Sequence, residues 1–131
     1  AADLARERGV ELTTVHADLA DHELGRERWG GIVEIFCHMP RPLRDRVHRG
    51  VAAALAPGGV FVLEAYTPAQ LEHRTGGPPA LERLYDLPSV RAALQGLELT
   101  LARELVREVH EGAYHHGPGA VLQLVARKTA V

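Results

Sequence analysis

The chain has 131 residues, 46% of them hydrophobic, a formal charge of -2 and a single cysteine. That length and apolar content suit one small domain with its own core, while the lack of a basic excess argues against binding a phosphate backbone. One cysteine excludes an internal disulfide and fits a reducing compartment. No apolar run reaches membrane-spanning length and no charged-then-apolar leader opens the chain, so the expectation is a soluble, cytoplasmic protein with neither nucleic acid nor membrane as partner.

Residues 1–8 read as the last turns of a helix that Gly9 stops. Glu11 to His16 (ELTTVH) is rich in β-branched residues and predicts a short strand running into Ala17-Asp18-Leu19-Ala20-Asp21. Asp18 and Asp21 fit either solvated turn residues or ligands at a strand end. Ile32 to Phe36 is apolar apart from Glu34 and predicts a second strand, with Cys37-His38-Met39 at its carboxyl end. Pro40 and Pro42 then open a helix whose apolar positions, Leu43, Val47, Val51 and Leu55, recur at helical spacing.

Pro57-Gly58-Gly59 predicts a tight reversal into the apolar strand Val60 to Leu63, which ends at Glu64-Ala65-Tyr66. Strand, helix, strand is the unit that joins parallel neighbours, and in open α/β sheets the ligand crevice borders the carboxyl ends of such strands. Thr67-Pro68 starts a short helix containing Gln70 and Leu71. The glycine- and proline-rich stretch from His73 to Pro79 predicts a lid or substrate loop. Helical pieces are expected around 81–85 and 89–95. Alternation over Leu97 to His110 and Ala120 to Lys128, around a glycine-bearing connection, predicts an antiparallel hairpin at one edge of the sheet.

Eight histidines raise the question of metal, but none of the strong ligand spacings is present and His115-His116 are adjacent, so no metal site is expected. Cys37 and its neighbour His38 point to opposite sides of an extended chain, which favours an inert thiol over a nucleophile. Neither a Gly-x-Ser-x-Gly elbow nor a Gly-x-x-x-x-Gly-Lys phosphate loop occurs.

ADLAD at Ala17 to Asp21, WGGIVEIFCH at Trp29 to His38 and LAPGGVFVLEAY at Leu55 to Tyr66 stand in one order and register with the closing hairpin. Together they resemble the downstream half of the class I S-adenosylmethionine-dependent methyltransferases, and within them the small tellurite-resistance-like group, over essentially the whole chain. The resemblance implies a single α/β domain, a truncated Rossmann-like sheet that is mostly parallel with a C-terminal antiparallel hairpin. About five strands are expected, lacking the family's first two.

The resemblance also implies S-adenosylmethionine as cofactor, with Asp18 and Leu19 near its adenine and Phe36 and Cys37 toward its methionine. His38, Glu64 and Tyr66, with the loop around Gly76 and Gly77, would meet a small-molecule acceptor. His38, or one of the pair His115 and His116, would serve as general base if the acceptor must lose a proton. The family's glycine-rich cofactor turn and ribose-binding acid have no counterpart here, and its two central strands would lie between ELTTVH and GIVEIF. GIVEIF is therefore expected to present an open apolar edge, as in a fragment or truncated product, able to pair with a second copy. The alternatives are a non-catalytic module that pairs through this edge, and a metal-dependent histidine enzyme, which would require bound metal.

Overall fold

The computed structural model describes residues 1–130. Helix α1 (Ala2–Glu7) ends where Gly9 takes a positive φ of 63°. Four strands follow: β1 (Trp29–Ile35), β2 (Leu55–Tyr66), β3 (Leu97–His110) and β4 (His116–Lys128). Helix α2 (Arg41–Ala54) joins β1 to β2, and α3 (Gln70–His73) and α4 (Leu87–Ala93) lie between β2 and β3. The sheet order is β1-β2-β4-β3. β2 pairs parallel with β1, from Gly31 opposite Val60 to Ile35 opposite Glu64, and antiparallel with β4, from Val60 opposite Arg127 to Tyr66 opposite Val121. The hairpin β3–β4 runs in register from Leu97 opposite Lys128 to His110 opposite His116.

The expected α/β sheet with its closing hairpin is thus present, with four strands among the described residues where about five were expected. Glu11 to His16 belongs to no strand and is exposed throughout, so its β-branched residues find no sheet neighbour. Only one of the three strand pairings is parallel as a result. β4 also begins four residues earlier than the alternation suggests, taking Gly117 and Pro118 into the ladder.

Pro57-Gly58-Gly59 does not end the strand pairing but is absorbed within it. Trp29 pairs with Leu55 and Gly31 with Val60, so Ala56 to Gly59 loop out of register. Gly59 has to be glycine, because a Cβ there would stand 2.8 Å from the Ala56 carbonyl oxygen and 3.0 Å from that of Trp29. The turn thereby clamps the amino-terminal ends of β1 and β2 together.

One face of the sheet carries the core. Phe61, Leu63 and Ala65 of β2 and Leu122, Leu124 and Ala126 of β4 pack with Val51 and Leu55, and with Tyr85, Val90 and Leu94. On the opposite face Val33 (68% exposed) and Ile35 (47%) of β1 and Leu101 of β3 meet solvent. The outer edge of β1 has no strand partner among the described residues.

Helix α2 buries only the later half of the stripe its apolar periodicity predicts, Val51 and, just past its end, Leu55. Its buried residues are Arg44, His48, Val51 and Ala54, while Leu43 and Val47 are half-buried. Polar partners turn it inward. Arg44, 1% exposed, donates to Ser89 Oγ (3.1 Å) and the Leu84 carbonyl (3.4 Å) and lies over the Tyr85 ring at 4.7 Å. His48 Nε2 meets Glu34 Oε2 at 3.0 Å. Buried charge is tolerated only when partnered in this way.

The same partners fix α4. Asp86 is its N-cap, accepting from the Ser89 amide (2.8 Å) and the Ser89 hydroxyl (2.6 Å). Burial acts to raise the Asp86 pKa, but the Ser89 hydrogen bonds and the positive charges of Arg44 and Arg41 outweigh it, so the net shift is downward. A carboxylate depressed in the fold stabilises fully above its unfolded pKa and loses that contribution as pH falls through the folded value. Asp86→Ala is therefore expected to cost about 1 kcal/mol at neutral pH. The gap from the parent chain should shrink in urea titrations run near pH 3, below the ordinary Asp value of 3.8.

Candidate functional site

The carboxyl ends of β1 and β2 lie side by side, and β1 ends abruptly. Phe36 takes φ 48°, a left-handed conformation that costs a bulky residue about 1–3 kcal/mol and has to be held by its surroundings. Its amide donates to the Glu64 carbonyl (2.8 Å), and its ring stacks on Tyr66 at 4.6 Å. Cys37 and His38 are carried away from the sheet by this turn. Below them the Tyr85 hydroxyl lies between Glu34 Oε1 (2.9 Å) and the Cys37 carbonyl, and accepts from the Met39 amide at 3.4 Å. Burial first and the Glu34 charge second push the Tyr85 pKa far up, so the phenol keeps its proton.

Four rings gather at this end. Tyr66 is the centre, with His38 at 5.6 Å and 11°, His115 at 6.0 Å and 8°, and Phe36 on a further side. His38 is fixed at both nitrogens: Nδ1 lies 2.9 Å from the Arg83 carbonyl, which places a proton on it, and Nε2 faces the Tyr66 amide at 3.4 Å. Burial lowers its pKa more than the Arg83 hydrogen bond and Glu34 raise it. The adjacent histidine goes elsewhere: His116 packs edge-on against His110 across the hairpin, at 4.8 Å.

The glycine-rich loop closes over Tyr66. Gln70, 2% exposed, donates to the Gly76 carbonyl (3.1 Å) and to Thr75 Oγ1 (3.0 Å), and accepts from the Ala120 amide (2.8 Å), tying the loop to β4. A Cβ on Gly77 would stand 2.7 Å from Tyr66 Cδ2, and one on Gly76 would stand 2.4 Å from the Tyr114 carbonyl oxygen. The loop, the hairpin turn and the Leu81–Arg83 helical turn leave a cleft of about 510 Å³ between them, reached by His38 and His115.

The residues expected to form one site divide among several places. Phe36, His38 and Tyr66 come together with Gly76 and Gly77. Leu19 and Cys37 lie in a separate apolar groove of about 290 Å³ along the open edge of β1, with Val33, Ile35 and Met39. Burial and the nearby Glu34 raise the Cys37 thiol pKa, which keeps it protonated. Asp18 is exposed and braces its own turn, accepting from the Ala20 amide at 2.8 Å. Glu64 points to the open face of the sheet, where Arg107 Nε (2.7 Å) and Gln123 Nε2 (3.2 Å) occupy its carboxylate. Among the described residues no cluster of histidine, cysteine and carboxylate could hold a metal ion, and no helix is long and apolar enough to cross a membrane.

Sequence reasoning passed over Tyr85, Arg83 and Tyr114, and it noted Glu34 only as an exception in an apolar strand. The readable signal was that exception itself, together with Arg44 and His48 one helical turn apart on α2.

No protein-family model matches the sequence, and no curated protein does. Solved structures match over nearly the whole chain. A SAM-dependent methyltransferase from Methanosarcina mazei is 14% identical with a TM-score of 0.65, over 99% of this chain and 76% of that one. TehB from Haemophilus influenzae is 14% identical with a TM-score of 0.71, over 98% and 45%. The [4+2]-cyclase SpnF is 19% identical with a TM-score of 0.64, over 99% and 61%. The fold is that of part of a class I methyltransferase. This chain spans about three fifths of the first solved structures it matches. In a methyltransferase-type sheet the aromatic cluster sits at the carboxyl ends of neighbouring parallel strands, where such folds take ligands.

Gly77→Ala tests the closure of the loop over Tyr66. It should destabilise the chain by about 1–3 kcal/mol in thermal or urea unfolding. Gly112→Ala, at the same φ of 86° but with nothing within 4 Å of its Cβ, should cost visibly less.

Proposed function

We propose that this chain is the acceptor-binding side of an S-adenosylmethionine-dependent methyltransferase, of the tellurite-resistance-like kind that its sequence blocks resemble, acting on a small molecule. One observation carries the reading: on a methyltransferase-type sheet, the strained Phe36 turn sets the ring cluster and its cleft next to the apolar groove along β1. The bound cofactor supplies an activated methyl group on a sulfonium. Leu19, Ile35 and Cys37 would form an apolar wall for it, and the cleft beyond His38 would hold the acceptor.

Only one wall is available from these residues. Asp18 is committed to its own turn, and no other carboxylate lines the β1 groove except Glu34, which is engaged by Tyr85 and His48. The ribose contacts are therefore assigned to polypeptide that pairs with the open edge of β1. His38 would be the proton acceptor: burial keeps its pKa low, Arg83 fixes its proton on Nδ1, and the Tyr66 amide holds Nε2 only loosely. Methyl transfer asks mainly for alignment of donor and acceptor, so the rigidity of the Phe36 turn matters more than any single charge. The cyclase among the structural neighbours is a reminder that the fold alone does not choose the reaction.

Calorimetric titration of the purified chain with S-adenosylhomocysteine tests the cofactor assignment. Saturable heat that Ile35→Asp abolishes supports it. A folded chain that gives no heat defeats it.

A second reading, a module that pairs through β1, is favoured by the unpartnered strand edge with Val33 and Ile35 exposed beside it. It predicts a dimer that forms with rising concentration in sedimentation velocity and that Val33→Lys dissociates. A monomer at all concentrations would leave the catalytic reading alone.

A further inference from the structure

The cleft beyond His38 has a chemical character that the methyltransferase-type fold does not dictate. Its walls are the loop 76–78, the side chains of His38 and His115, Tyr114 from the hairpin turn and Arg83 from the short helical turn, and no carboxylate is among them. Three features converge there.

First, the two imidazoles on the cleft wall lie nearly parallel to Tyr66, at 11° and 8°, so the rings there share one orientation. Second, the Arg83 guanidinium pairs with no carboxylate among the described residues. Its one hydrogen bond is a long 3.4 Å contact to the His38 carbonyl, while its own carbonyl receives His38 Nδ1. Other arginines of the described chain also lack an acidic partner, and Arg83 is exposed; what distinguishes it is its place, on the wall of this cleft beside His38. Third, Tyr114 is 87% exposed at the tip of the turn, a large ring that covers nothing in the folded chain. Parallel ring faces select a flat ligand, and a guanidinium without a counter-charge selects an anion by paired hydrogen bonds.

We propose that this cleft binds a planar aromatic anion, an aromatic carboxylate or phenolate. Its charge lies against Arg83, its ring stacks on the His38 and His115 faces, and Tyr114 folds over it. The proposal deepens the acceptor reading above and takes its reaction from it. Ligand selection itself needs no methyl donor, so it can be measured separately.

The probe is benzoate, followed by NMR of the histidine ring signals in the full chain, with acetate and benzamidine as comparisons. Benzoate should shift the His38 and His115 signals saturably, with a dissociation constant of about a millimolar, as suits so small a ligand. Acetate, which lacks the ring, and benzamidine, which carries the opposite charge, should leave them in place at the same concentrations. Arg83→Gln should weaken benzoate about tenfold or more. Arg103→Gln, on the sheet away from the cleft, should not. Circular dichroism confirms that both variants fold.

Binding of benzamidine as strong as that of benzoate, equal binding of acetate, undiminished binding to Arg83→Gln, or no shift with any probe would each overturn the proposal. Benzoate selectivity in a chain that ignores S-adenosylhomocysteine would uphold the cleft and reject the methyl donor. The reverse pattern would uphold the donor and reject the cleft.

Discussion

The fold turns on a buried polar contact: the carboxylate of Glu34, inside an apolar strand, held by the Tyr85 hydroxyl on one oxygen and His48 Nε2 on the other. These three residues come from β1, from the segment entering α4 and from α2, so a single cluster fixes three elements against one another. Arg44 extends it, tying α2 to Ser89 and lying over the Tyr85 ring. Such a network adds little if every group is satisfied and costs several kcal/mol if one partner is lost, so it specifies one arrangement more than it stabilises. His48 Nδ1 is its one buried polar atom without a partner, which fits a ring whose proton sits on Nε2, toward Glu34.

The cluster also reaches the carboxyl ends of β1 and β2. The Tyr85 hydroxyl that contacts Glu34 also contacts the Cys37 carbonyl and the Met39 amide, so the two residues flanking His38 are held from beneath. From above, the Arg83 carbonyl and the Tyr66 amide hold its imidazole. The left-handed turn at Phe36 persists because its ring and its amide are both engaged. Packing in the interior and geometry at the cleft are one problem solved by one set of residues.

Much of this was legible in the sequence for a physical reason. Strands such as Val60 to Leu63 and the hairpin Leu97 to Lys128 declare themselves by apolar pattern, whereas the bend legible at Pro57-Gly58-Gly59 loops out within β2 and does not precede it. What stayed hidden depends on partners distant along the chain. ELTTVH has strand propensity, yet no neighbour pairs with it, and propensity alone does not make a strand. The first half of the inward face of α2 was missed because Arg44 and His48 look like surface residues until Ser89, Tyr85 and Glu34 are brought to them. Glu64, which the family resemblance suggested as a substrate residue, is taken up by Arg107, which lies 43 positions later. The meeting of His38 with Arg83 likewise spans 45 positions.

The position of β2 in the sheet bears on how the chain assembles. β3 and β4 are joined by a short turn and can zip together locally. β1 reaches β2 through α2 across about thirty residues, whereas β2 has to find β4 across more than fifty. Loop-closure entropy thus favours a sequence of events in which the hairpin and the β1–α2–β2 unit form early and the β2–β4 pairing last. The cleft, walled by His38 and Arg83 from the first part of the chain and by Tyr114 and His115 from the hairpin, is completed only at that docking. It is then the last feature the folding chain acquires and the first it loses when the two parts separate.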